Sequence, residues 1–139
     1  MVSKFNMVSR LLMEAFSPVE VQFVIHEHTP RNTNLHFDLR FEDPKNKGKL
    51  FSFALPSDFP KTMDKKTLCF LTHSHLERWL HLKSYRLVVY DKGTVVIKIM
   101  TNKFFSLEFK GKLLTGNYKL FKIRTKREDS WLLARQKNG

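Results

Sequence analysis

His36-Phe37-Asp38-Leu39-Arg40 sets an imidazole, a carboxylate and a guanidinium at every second position. On an extended strand these three share one face, with successive residues about 7 Å apart. An imidazole and a carboxylate at that separation can both reach one metal ion between them. Arg40, one step further, can then hold an anion bound to that ion. His28 lies on an upstream alternating run and can supply a third ligand if the two strands pair. Two imidazoles and a carboxylate with open positions suit Mn²⁺, Fe²⁺ or Zn²⁺, and no thiolate cluster biases the set toward structural zinc. The plain alternative is a half-exposed antiparallel strand whose polar residues simply face water.

The elements that must position these residues can be read from periodicity. Phe5, Val8, Leu12, Ala15 and Phe16 recur at helical spacing after Ser3, a capping residue, and Pro18 ends that helix. From Val21 the period becomes two, through His26 to His28, and the Leu35–Glu42 run is the cleanest strand in the chain. Asp43 to Gly48 reads as a turn into Leu50–Leu55, and Pro60 to Lys66 as a loop before Leu68–Leu71. Ser74 and Glu77 have capping-box spacing, which predicts a short helix near His75. Tyr85–Tyr90 and Thr94–Met100 flank Asp91-Lys92-Gly93, a hairpin turn signal. Phe104–Phe109, Leu113–Leu114, Tyr118–Ile123 and Trp131–Leu133 complete a series of short strands. The expected fold is mainly β: one compact antiparallel β-barrel over residues 20–138, with a short N-terminal helix and turn over 1–19 and one short additional helix.

Composition narrows the function. A chain of 139 residues with 42% hydrophobic content and 13 phenylalanines fits one β-rich domain. The apolar patch Leu11–Phe16 is too short for a signal peptide or a membrane span, so an intracellular protein of the cytoplasm or nucleoid is expected. Cys69, the single cysteine, reads as a buried thiol. The net charge of +12 is unevenly spread. Residues 1–82 carry 11 basic and 9 acidic side chains and all 6 histidines, whereas residues 83–139 carry 14 basic and 4 acidic. Cations beside candidate metal ligands suggest a polyanionic substrate, nucleic acid being the commonest. Lys119, Lys122, Arg124, Lys126 and Arg127 are expected to track its phosphate backbone, with steep salt dependence. Nothing in the pattern demands more than a monomer.

Several segments, in order, resemble the 3′-phosphoesterase domain of DNA ligase D. Phe23-Val24-Ile25-His26-Glu27-His28 followed by Leu35-His36-Phe37-Asp38-Leu39-Arg40-Phe41-Glu42 is similar to that family's F-V-[IV]-Q-x-H…L-H-[FYW]-D-[LF]-R-L-E signature. Leu50–Pro56, Leu68–Trp79 with His75 at its centre, Tyr90–Thr94, Leu107–Tyr118 and the closing Trp131-Leu132-Leu133 with Arg135 resemble its later segments. The similarity spans Val21 to Lys137.

The resemblance implies that His28, His36 and Asp38 bind the metal, Mn²⁺ in the first place, with Zn²⁺ or Co²⁺ as substitutes. Arg40 would bind phosphate and His75 would contact the scissile phosphate opposite the metal. It implies an enzyme, a manganese-dependent hydrolase that removes 3′-terminal ribonucleosides and 3′-phosphates from DNA or RNA ends, primer-template ends included. The 3′-hydroxyl left in DNA repair would serve a separate ligase or polymerase. His26 stands at the family's glutamine and Lys66 near a family arginine, both as further phosphate contacts. Trp79 replaces a tyrosine and His73 a glutamate; with Glu42 they could support the site. The His28–His36 loop is two residues longer than usual, which leaves either His26 or His28 as third ligand. The glycine-rich segment after Trp79 is absent, and Lys83 and Ser84 lead directly into a strand. Two other readings stand beside the enzyme: a catalytically weak end-binding module of the same fold, and an iron-dependent oxygenase with Arg86 binding a keto acid.

Overall fold

Alternation becomes strand wherever it was strongest, and eight strands close into a barrel. The computed structural model describes residues 16–31 and 34–137. Its strands are β1 (Val19–His28), β2 (His36–Glu42), β3 (Lys49–Leu55), β4 (Lys66–Leu71), β5 (His75–Leu76), β6 (Leu87–Met100), β7 (Phe104–Gly111), β8 (Thr115–Lys122) and β9 (Ser130–Arg135). Helix among the described residues is confined to α1 (Phe59–Thr62) and one 3-10 turn, Glu77–Leu80. Neighbours around the barrel follow the order β2-β1-β6-β7-β8-β9-β4-β3, all antiparallel, and β2–β3 pairing closes the ring. Closure leaves these strands without the open edges that promote chain association. No helix among the described residues is long and apolar enough to cross a membrane. The helix expected over the first residues lies outside the described residues, apart from Phe16, which packs against the core.

Inside the ring, one face of each strand builds the core. Phe37, Leu39 and Phe41 of β2 meet Phe23 and Ile25 of β1 and Phe53 and Leu55 of β3, all buried. Aromatic rings bridge the barrel: Phe41 meets Phe105 edge-on at 5.4 Å, and Trp131 meets Phe53 edge-on at 5.3 Å. Each such pair adds about 0.5–1.5 kcal/mol beyond its area burial. Cys69 is buried here as expected, and burial pushes its thiol up to about 12.

Three local expectations fail for tertiary reasons. Asp91-Lys92-Gly93 makes no hairpin; it lies inside the fourteen-residue β6. Asp91 is buried, and its carboxylate accepts hydrogen bonds from the backbone N–H groups of Lys92, Lys112, Leu113 and Leu114. That carboxylate therefore organises the β7–β8 turn, and Leu113–Leu114 is that turn rather than a strand. Gly93 is opposite Gly111, and a Cβ on Gly93 would collide with the Lys110 carbonyl, so close approach of β6 to β7 explains the glycine. No helix starts at His75 either. His75 and Leu76 pair with Leu50 and Lys49, and the 3-10 turn begins one residue later with no side-chain cap.

That pairing matters for function. At one end of β3, Phe53 and Ala54 pair with β4; at the other, Lys49 and Leu50 pair with β5. Val24, Leu50 and Leu80 form a second buried cluster, with Trp79 and Val89 packed against it. This cluster pins the 3-10 turn onto the outer wall made by β1, β2 and β3.

Candidate metal centre

The polar face of β2 points away from the core onto that outer wall. Antiparallel register sets His28 opposite His36, His26 opposite Asp38 and Val24 opposite Arg40. On its other side β1 carries a bulge at Ile25/His26 against β6, which re-aims the end of the strand. As a result His28 and His36 converge on one carboxylate: His28 Nδ1 lies 3.2 Å from Asp38 Oδ2 and His36 Nε2 lies 3.3 Å from Asp38 Oδ1. One ligand atom from each of the three lies within 4.8 Å of the others. A transition-metal ion holds such atoms at about 2.0–2.2 Å, so ligands sharing an ion sit about 3 Å apart, and the donor set fits. Asp38 is buried while both imidazoles keep an exposed edge. Burial holds His28 below its ordinary value, with Asp38 opposing.

His26 has a different task from the one expected. Its Nε2 lies 2.9 Å from the Leu82 carbonyl, and its Nδ1 lies 2.7 Å from Arg40 Nη1. A carbonyl can only accept and a guanidinium can only donate, so Nε2 carries the proton and Nδ1 receives Arg40. With both nitrogens occupied, His26 is engaged elsewhere in this arrangement, and His28 is the imidazole brought together with His36 and Asp38. Desolvation lowers His26 to about 4, consistent with a neutral ring. Arg40 is buried too, anchored by His26 on one side and by Asp38 at 3.3 Å on the other. Burial lowers its pKa, Asp38 raises it again, and the guanidinium stays charged.

Above Arg40 the 3-10 turn supplies the roof. The guanidinium lies 4.8 Å from the Trp79 ring centroid, and His75 meets Trp79 edge-on at 4.7 Å. His73, exposed, stacks on His75 at 4.8 Å. Burial and then the Arg40 charge hold His75 below its ordinary value. Three buried side-chain atoms among the described residues lack a hydrogen-bond partner: Arg40 Nε, Ser52 Oγ and His75 Nδ1. They belong to one neighbourhood, since Arg40 faces Ser52 across β2–β3 and His75 pairs with Leu50 on the same strand as Ser52. Buried polar groups without partners are costly, and three in one neighbourhood leave hydrogen-bonding capacity there unspent.

Ser52 was missed from sequence. Its signal was present: it sits two residues from Leu50 on the alternating Leu50–Leu55 run, on the same outward face as Arg40. Two expected contributors are placed elsewhere. Lys66 is exposed at the start of β4, where that strand pairs with β9, and lines a groove with Thr62, Asn117, Arg135 and Gln136. Glu42 turns its carboxylate to the Gln22 backbone N–H at 2.7 Å, serving the β1–β2 ladder. His81 is exposed after the 3-10 turn. Part of the cationic C-terminal half is also displaced: β8, with Lys119 and Lys122, lies four strands from β2 in either direction around the ring. Arg127 is tied to Asp129 and packs over Phe70.

No family model matches the chain, and no curated protein matches it significantly.

Proposed function

We propose that this protein is a divalent-metal-dependent 3′-phosphoesterase that processes nucleic-acid ends to leave a 3′-hydroxyl. One observation carries the reading: a His28–His36–Asp38 donor set directly beside three unpartnered buried atoms of Arg40, Ser52 and His75. A metal-ligand triad alone suits many chemistries. A triad flanked by a fixed cation, a hydroxyl and an imidazole suits a phosphate ester. The net charge of +12 and the ordered resemblance to the ligase D phosphoesterase domain support a polynucleotide as the alcohol part.

His28, His36 and Asp38 would hold the ion, with Mn²⁺, Zn²⁺ and Co²⁺ suited to the donors. When bound, the ion supplies Lewis acidity toward a phosphate oxygen and toward water. Arg40, held by His26 and Asp38, keeps its Nε free to donate to a non-bridging oxygen. Ser52 adds a hydroxyl donor. His75 faces the same space and can donate a proton to the phosphate or the leaving oxygen; a bound anion raises the pKa that burial and Arg40 depress. Trp79 excludes water from above and orients both Arg40 and His75.

The test uses a labelled primer-template ending in one 3′-ribonucleotide and a second ending in 3′-phosphate, each with Mn²⁺, Mg²⁺, Zn²⁺ or chelator. Metal-dependent conversion to a 3′-hydroxyl, abolished by His36→Ala and lowered at least about a hundredfold by Arg40→Ala, is the expected result. Salt-sensitive binding with no turnover of either end under any metal overturns the enzyme reading in favour of an end-binding module.

A further inference from the structure

Beside the metal-ligand set stands an aromatic ring with no structural task. Tyr85 is 85% exposed, by far the most exposed large apolar side chain among the described residues. The backbone that carries it is nevertheless held. Ser84 and Leu87 exchange backbone hydrogen bonds of 2.8 and 3.2 Å, so Tyr85-Arg86 is the tip of a tight two-residue turn. The Thr29 N–H donates to the Arg86 carbonyl at 2.9 Å, and His28 pairs with Leu87, which fastens the tip beside a metal-ligand candidate. On the other side, the Leu82 carbonyl accepts a hydrogen bond from His26 Nε2. Arg86 Nε donates to the Tyr85 hydroxyl at 2.7 Å, and its guanidinium carbon lies 5.0 Å from the ring centroid. A side chain that adds nothing to the core is thus carried on a turn fastened beside His28, with a cation at its hydroxyl.

We propose that Tyr85 is a stacking surface for the terminal nucleobase of a polynucleotide whose end phosphate occupies the Arg40–Ser52–His75 socket. The inference rests on the phosphoesterase reading for the phosphate but assigns a separate base subsite. Paired residues across an antiparallel ladder are about 5 Å apart, so His28 and Leu87 bring the turn within one nucleotide of the metal-ligand set. Every base has a π-face, so a single ring stacks any of them, and Arg86 adds a cation for the neighbouring phosphate or base. A phosphate socket alone would accept any phosphate ester; the ring selects one attached to a base. The subsite therefore distinguishes nucleic-acid ends from sugar phosphates and from ends that have lost their base.

Two 3′-phosphate oligonucleotides decide it, identical except that one ends in 2-aminopurine nucleoside and the other in an abasic residue. Binding is read by anisotropy for both and by fluorescence quenching for 2-aminopurine; turnover is read as phosphate release. Wild type binds the base-bearing end about tenfold more tightly than the abasic end, the scale of one base–aromatic stack. Tyr85→Ala brings the two ends to parity and abolishes the quenching, while Tyr85→Phe and Tyr85→Trp keep both. Because the ring is exposed, Tyr85→Ala melts within about 1 °C of wild type. Equal binding of both ends by wild type, or undiminished preference in Tyr85→Ala, overturns the base subsite even if turnover is robust. A Tyr85-dependent preference with no turnover supports the subsite and removes the phosphoesterase reading, so the two failures are separable.

Discussion

Replacing His26 probes the tautomer argument directly. In His26→Leu, Arg40 Nη1 loses its 2.7 Å acceptor and the Leu82 carbonyl loses its donor, both inside a site where Arg40 is 3% exposed. A hydrogen bond to a buried charge is worth about 1.5–3 kcal/mol and the neutral one about 1, so a loss of about 3 kcal/mol is expected. At roughly 4 °C per kcal/mol for a domain of this size, the melting temperature falls by about 12 °C. His26→Gln keeps an acceptor and a donor on one amide and recovers most of that loss. The same residue gives a pH signature. His26 is depressed to about 4 in the folded chain against an ordinary 6.5. Above 6.5 the ring is neutral in both states and its contribution to stability is fully present. As pH falls from 6.5 to 4 the unfolded chain takes up a proton that the native chain refuses, and stability is lost. The difference of about 2.5 units corresponds to about 3 kcal/mol. Urea unfolding of the metal-free protein at pH 7 and pH 4 therefore shows wild type losing about 3 kcal/mol more than His26→Gln. A constant gap between the two proteins across that range, or a His26→Leu protein that melts like wild type, refutes the assignment.

Further outcomes follow from the same geometry. Asp38→Asn removes the carboxylate shared by His28 and His36, so calorimetric affinity for Mn²⁺ drops at least about a hundredfold. In wild type, metal at a hundred times its Kd raises unfolding free energy by about 2.7 kcal/mol, and that gain disappears in the variant. Asp91→Asn presents an amide N–H to backbone donors that now meet a carboxylate, costing about 3 kcal/mol; thermal melts should fall by roughly 12 °C. Cys69 is buried with its pKa at about 12, so an aromatic disulfide reagent at pH 8 leaves the native protein unmodified and reacts in guanidinium. Rapid modification of the folded chain would mean that the β4 wall opens.

Much of the site was legible because strand chemistry is local. A period of two puts His36, Asp38 and Arg40 on one face whatever the rest of the chain does, and the same rule aligned His26 with His28. Barrel class followed from the number of short alternating runs and the turn residues between them. What local pattern could not supply was partnership. His26 was ambiguous between ligand and phosphate contact until Arg40, 14 residues away, and Leu82, 56 residues away, engaged both of its nitrogens. Ser74 and Glu77 match a capping box, yet pairing of His75 with Leu50 makes His75–Leu76 a short strand and delays the 3-10 turn to Glu77.

Charge counts also carried no direction. Lys119 and Lys122 of the basic C-terminal half end on the wall across the barrel from β2, because strand order places β8 four neighbours away both ways. Lys66 follows β9 for the same reason, and Asp91 spends its carboxylate on a turn more than 20 residues downstream. Side-chain period is a property of one strand and survives translation from sequence. Which strands become neighbours is decided when the ring closes and buries one common core, and that choice determined which polar groups found partners and which three, among the described residues, were left buried without one.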